Sequence, residues 1–259
     1  MSEAVPGGAG DRGVFEEALS IIEGAQADGI PVRLVGGLAV RFLTPQYPAR
    51  AREGQDLDLA SVASHRKPLT EFLVGRGYHP DKTFNALYGH KQLYFASPDS
   101  GHVVDVLLDR LEMCHVLEFA DRVDRMQFTL DPTDLLLSKL QIVELNEKDA
   151  QDAVYLLSAF GLSDADEPGT IGLTRFGEIL GNDWGWWRTV TLNLQRIREF
   201  AEDHGKHLVP AQATHDVTAQ IQSLERTAEE TPKSLKWKLR AKVGERKRWY
   251  QLPQETEHD

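Results

Sequence analysis

The stretch "VRLVGGLAVRFL", residues 32–43, decides how this chain is read. "PVRLVG" has the look of a strand and "LAVRFL" that of a helix running until Pro45, so Gly36 and Gly37 fall in the turn between them. Paired glycines allow a tight turn and let another group come close to the peptide N–H atoms that open a helix. The pair also fits an ordinary strand-to-helix turn, so its meaning depends on the residues downstream.

After the loop "QYPARAREGQ" comes "DLDLAS", residues 56–61, which alternates like a half-buried strand. Asp56 and Asp58 are two apart and therefore project from one strand face. Like charges held this way repel, and a shared divalent cation relieves them; hard oxygen ligands suit Mg²⁺ or Mn²⁺. The plainer reading is a solvated strand end. A third acid bears on the choice. "HVVDVLLD", residues 102–109, places Asp105 in an apolar strand, where an unpaired charge is costly. If that strand lies beside "DLDL", the three carboxylates can share one site. Asp109, four residues on, is expected to mark the strand's exit into solvent.

The surrounding pattern is mixed up to about residue 130 and helical beyond it. "VFEEALSIIEGAQADG" has apolar residues at 14, 18, 21, 22 and 25, a helical period, with Gly29 as stop. "HRKPLTEFLVGRGY" predicts a second helix ending at Gly77, "KQLYFAS" and "HVVDVLLD" a hairpin across "PDSG", and "RMQFTL" one more strand. "DPTDLLLSKLQIVEL" predicts a helix with Asp131 as N-cap and Pro132 at its first position, burying Leu136, Leu140 and Val143. "EKDAQDAVYLLSAFG" and "RTVTLNLQRIREFAED" add two more helices, and "SDADEPGT" a linker. The expected fold class is α+β: residues 1–12 a disordered start, 13–130 a domain with a small mixed sheet and flanking helices, and 131–259 a helical domain.

Composition limits the function classes. The apolar runs are far shorter than the roughly 20 residues of a membrane span, so no membrane partner is expected. The start of the chain lacks the pattern of a secretory leader and reads as cytoplasmic. A single cysteine, Cys114, excludes an internal disulfide and is expected to be a buried thiol beside a surface imidazole, His115. The net charge of −11 is uneven: residues 233–250, "KSLKWKLRAKVGERKRWY", carry a local +7, leaving −18 on the remainder. This segment supports two readings: a guide for an RNA acceptor, or an amphipathic helix docked through Leu235, Trp237, Leu239 and Val243. Trp184, Trp186 and Trp187 either stack on a base or anchor helix packing. His90 and Lys91 sit before a strand, as a phosphate contact or an ordinary exposed loop.

Gly36-Gly37, Asp56-x-Asp58 and Asp105, in this order and these contexts, resemble the nucleotidyltransferase superfamily of the DNA polymerase β type. Within it, "LVGGLAVRFL" followed by "DLDL" is most similar to the minimal branch that includes the toxin-type AbiEii proteins. The resemblance covers about residues 30–160. It implies an enzyme that moves a nucleoside monophosphate from an NTP to a hydroxyl, with Mg²⁺ or Mn²⁺ held by Asp56, Asp58 and Asp105 and the triphosphate held at Gly36 and Gly37. Asp105 would also activate the attacking hydroxyl. The toxin-like branch has a downstream basic motif, onto which Lys139 and Lys148 are carried as nucleotide contacts, although no Arg stands between these lysines. Lys148 and Asp152, one helical turn apart, read equally well as a surface ion pair. The acceptor could be an RNA end, a protein side chain or a small molecule such as an aminoglycoside. The alternative is a catalytically silent module that keeps the fold and binds a nucleotide or a partner.

Overall fold

The structure is a computed structural model that describes residues 12–48 and 56–252. The expected disordered start therefore lies almost wholly outside the described residues, as does most of the loop before Asp56. The chain divides into two compact units. One contains the described residues up to Leu111 together with Glu118–Asp131; the other contains Glu112–Leu117 and the described residues from Pro132 onward. The expected boundary near residue 130 is thus crossed by one short excursion, Glu112–Leu117. Its hairpin strands are β6 (Arg110–Glu112) and β7 (Val116–Glu118).

The first unit is built on a five-stranded mixed sheet in the order β1-β2-β5-β4-β3. Its strands are β1 (Arg33–Leu34), β2 (Leu57–Ser61), β3 (His79–Pro80), β4 (Gln92–Ala96) and β5 (Val103–Leu108). β2 and β5 run parallel and the other pairings are antiparallel. The period-2 alternation gives the sheet two different faces. Leu57, Val104 and Phe95 form one buried row across β2, β5 and β4, and Leu59, Val106 and Leu93 form the next. The row between them, Asp58, Asp105 and Tyr94, points to the opposite face and is half-buried.

Helix α1 (Arg12–Ala27) buries Phe15, Ala18, Ile21, Ile22 and Ala25, and the chain turns at Gly29 with φ +73°. Helix α2 (Gly36–Leu43) opens at the glycine turn, α3 (Arg66–Gly75) ends before Gly77 at φ +90°, and α4 (Lys82–Tyr88) is capped by Asp81. The "PDSG" hairpin forms as expected, with Gly101 at φ +71°.

Two expectations for this unit are corrected. "RMQFTL" makes a single bridge, Thr129 with Leu34, rather than a strand: β1 is only two residues long and offers no longer edge to pair with. Asp109 does not run out into solvent. At φ 65° it reverses the chain after β5, and its carboxylate accepts from Ala63 N at 2.9 Å.

The second unit is helical, with α5 (Pro132–Leu140), α6 (Glu147–Ala159), α7 (Leu173–Asn182), α8 (Trp184–Leu208), α9 (Val217–Glu230) and α10 (Leu235–Val243). Strands β8 (Leu162–Ser163) and β9 (Ile171–Gly172) pair across the loop expected as a linker. α5 stops five residues short of the expected end, so Val143 is outside it. There Asn193 Nδ2 takes the freed carbonyls of Leu140 and Ile142 at 2.9 and 2.7 Å, satisfying a helix end that the sequence pattern alone would have continued.

The tryptophans anchor packing. Trp184 and Trp186 are buried, Trp186 Nε1 donates to Val116 O, and the Trp187 and Trp237 rings meet edge to face at 5.3 Å. His115 is buried rather than at the surface. Its Nε2 lies 2.8 Å from Thr189 Oγ1, its ring is 5.1 Å from that of Trp186, and burial pushes its pKa down to about 4. Helix α10 docks through Trp237 and through Arg240, whose guanidinium lies 4.7 Å over the Trp184 ring. Leu235 and Leu239 face outward instead, at 74% and 56% exposure, so only part of the expected apolar face is docked.

Candidate active site

Asp58 and Asp105 are register partners on the parallel strands β2 and β5, so their side chains stand next to each other on one face of the sheet. The expected adjacency of these two carboxylates is present. Asp56 is exposed and precedes β2, which begins at Leu57, so the strand that was to carry both acids of the D-x-D pair carries only the second.

The glycine turn meets this row directly. Gly36 has φ +65°, a conformation that side chains disfavour. A Cβ placed there would lie 2.5 Å from Asp58 Oδ2, so the turn has no room for one. Val35 N donates to Asp58 O at 2.9 Å, which ties the turn to the strand. The group that comes close to Gly36 is therefore the Asp58 carboxylate. Gly37 lies in the first turn of α2.

Asp105 is held from the other side. Gln92 on β4 places Nε2 2.8 Å from both Asp105 oxygens. Burial pushes the Asp105 carboxyl up to about 7, with Asp58 and Asp56 adding to the rise and the Gln92 hydrogen bond opposing it. Tyr94, the register partner of Asp105, is raised to about 12 by burial and by the same aspartates. Its ring packs 5.3 Å from Phe84.

Sequence reading missed Gln92 and Tyr94, although a signal was present. In "KQLYFA" the polar residues alternate with Leu93 and Phe95, and the hairpin register sets Tyr94 opposite Asp105.

The basic residues carried over from the resemblance belong to the second unit. Lys139 is buried in α5, with Nζ 2.9 Å from Asp149 and 3.0 Å from Asp152; these carboxylates raise its pKa against the opposing effect of burial. Lys148 is exposed in the first turn of α6. His90 is exposed, and Lys91 Nζ lies 5.9 Å over the Tyr88 ring.

Among the described residues no group of three or more His, Cys, Asp or Glu side chains is arranged to hold a metal ion. The acid row sets carboxylate oxygens of Asp58 and Asp105 side by side, the donor type that hard divalent ions take. The Asp105 carboxyl holds its proton more strongly than usual because it is buried and negative charge is gathered around it.

No family model matches this chain. No curated protein matches it either. Among solved structures it is similar to the lincosamide antibiotic adenylyltransferase LnuA with lincomycin bound, at 18% identity and a TM-score of 0.40, over 54% of this chain and 94% of that one. It is also similar to the antibiotic-resistance factor ANT(2'')-Ia, at 12% identity and a TM-score of 0.38, over 75% and 98%. Both likenesses are distant.

Proposed function

We propose that the chain is a metal-dependent nucleotidyltransferase that moves a nucleoside monophosphate from an NTP to a hydroxyl acceptor. The observation that carries this reading is the pairing of Asp58 with Asp105 on adjacent parallel strands, with the glycine turn at Gly36 pressed against Asp58. A chain that needed these acids only for solubility has no physical reason to place two of them side by side on a half-buried face. The same argument weighs against the silent-module alternative.

Asp58 and one oxygen of Asp105, with Asp56 nearby in sequence, would hold Mg²⁺ or Mn²⁺. The ion would supply charge neutralisation for the triphosphate and for the carboxylates themselves. The turn at Gly36 fixes Asp58, and the N-terminal N–H groups of α2 offer a site for phosphate oxygens. In the reaction the acceptor oxygen forms a bond to the α-phosphorus and its proton passes to the Asp105 carboxylate. The bond from the α-phosphorus to the oxygen bridging to the β-phosphorus breaks, and pyrophosphate leaves with the electron pair.

The test is incubation with each α-labelled NTP, Mg²⁺ or Mn²⁺, and a panel of RNA ends and small hydroxyl compounds, scoring label transfer and pyrophosphate release. Transfer that disappears in Asp58→Asn and Asp105→Asn supports the proposal. Nucleotide binding without transfer in any mixture would favour the silent module.

A further inference from the structure

The contact between Gln92 and Asp105 bears on how the site divides its labour, given the nucleotidyltransferase reading on which this inference rests. Gln92 Nε2 is equidistant from Oδ1 and Oδ2 of Asp105, 2.8 Å from each, so the amide sits at the edge between the two oxygens. That edge is the one a carboxylate presents when it chelates a cation with both oxygens. Gln92 reaches it from β4, where it pairs with Leu107, two residues along the sheet from the Asp58, Asp105 and Tyr94 row and on the same face. With the edge occupied, only the outer lone pairs of the two oxygens remain for other partners.

We infer that Gln92 is the positioning residue of this site: it occupies the chelating edge of Asp105, so that the carboxylate meets a cation through one oxygen only and keeps the other for the attacking hydroxyl. A neutral amide suits this task. A cation in the same place would neutralise Asp105 permanently, as Lys139 neutralises Asp149 and Asp152 in the second unit. The amide orients the carboxylate and leaves its charge available. Asp58 would then be the principal metal ligand, and Asp105 would accept the hydroxyl proton as the new bond to the α-phosphorus forms and pyrophosphate departs.

The sign of one effect separates this role from ordinary structural support. Removing a residue that merely supports a metal ligand typically costs about 10- to 100-fold in metal affinity or activity. Removing Gln92 frees the edge of Asp105 for chelation, so metal binding should tighten while turnover falls.

The experiment titrates Mn²⁺ by electron paramagnetic resonance into wild type, Gln92→Ala, Gln92→Leu and Asp58→Asn, with a melting curve for each, and measures kcat and KM for the NTP. The Leu variant keeps the bulk of the stem but lacks the terminal amide that reaches the carboxylate edge, and so guards against collapse of the Ala variant. We expect Mn²⁺ to bind roughly 3- to 10-fold more tightly in the folded Gln92 variants, with kcat reduced about 10-fold or more and KM little changed. Weaker or unchanged Mn²⁺ binding in a folded variant, or unchanged kcat, would overturn the inference. Failure of wild type to bind Mn²⁺ any better than Asp58→Asn would instead remove the parent reading, and this inference with it.

Discussion

Two groups of aspartates in this protein have opposite surroundings. In the second unit Asp149 and Asp152 flank the buried Lys139 at 2.9 and 3.0 Å. In the first, Asp105 stands beside Asp58 and takes two hydrogen bonds from a neutral amide. The results diverge accordingly. Lys139 holds its proton more strongly than usual despite burial, and Asp105 is pushed up to about 7. A carboxylate pair closed around an internal ammonium stabilises a helical packing. A pair held by strand register and a neutral donor resists full ionisation, a repulsion that a bound cation would relieve.

The sharpest way to break this comparison is to delete the internal cation. Lys139→Met leaves two carboxylates without their buried counter-charge and should lower unfolding stability by about 3–5 kcal/mol in a urea titration. A loss below about 1 kcal/mol would mean that Asp149 and Asp152 reach solvent more easily than their burial suggests.

The acid row should respond in the opposite direction. The folded pKa of Asp105 lies above its unfolded value, so between about pH 4 and pH 7 the native state binds more protons than the unfolded chain. Stability from this group is therefore complete at low pH and falls as pH rises through that window. Asp105→Asn, which imitates the protonated form, should be more stable than wild type by up to about 4 kcal/mol at pH 8, with the difference vanishing near pH 4. Denaturation at the two pH values decides the point. A variant less stable than wild type at pH 8, in metal-free buffer, would show that Asp105 is held as a structural anion.

Gly36 links the glycine turn to the acids and offers a smaller effect. Gly36→Ala should cost about 1–2 kcal/mol, from the left-handed backbone and from crowding against Asp58. Part of that cost should be recovered in the Asp58→Ala background, where only the backbone penalty remains. Equal costs in both backgrounds would separate the turn from the carboxylate.

At the outer edge of the second unit the changes should be smallest. Leu235→Ser and Leu239→Ser should each shift stability by no more than about 0.5 kcal/mol, because both side chains are already exposed. Trp237→Ala should cost more, since it loses the Trp187 ring. A melting series of the three variants orders them.

Much of the first unit was legible because period-2 alternation and punctuating glycines dictate it locally. The helix over Arg12–Ala27, the "PDSG" hairpin, the strand of Asp58 and the helix opened by Gly36 all arise from patterns within one short segment. What was not legible depends on pairing between distant segments. "RMQFTL" has strand composition, yet the two-residue β1 leaves it nothing to extend against. Whether His115 is buried is decided by Thr189 and Trp186, about 70 residues away, and no local pattern announces them. The same holds for the site: the acids stand out as charges in apolar strands, whereas Gln92 acquires meaning only once β4 is laid against β5. Lys139 reads as a nucleotide contact from its place in a motif. Its neutralisation by Asp149 and Asp152 requires two helices to be packed before it can be seen.

The most direct test of the central claim is the anomalous scattering of Mn²⁺ soaked, with a non-hydrolysable NTP analogue, into crystals of the wild-type protein. The account predicts a peak about 2.0–2.6 Å from a carboxylate oxygen of Asp58 and from a single oxygen of Asp105, with Gln92 still on the edge of Asp105. A crystal with the analogue bound elsewhere and no Mn²⁺ at the Asp58 and Asp105 row would contradict it.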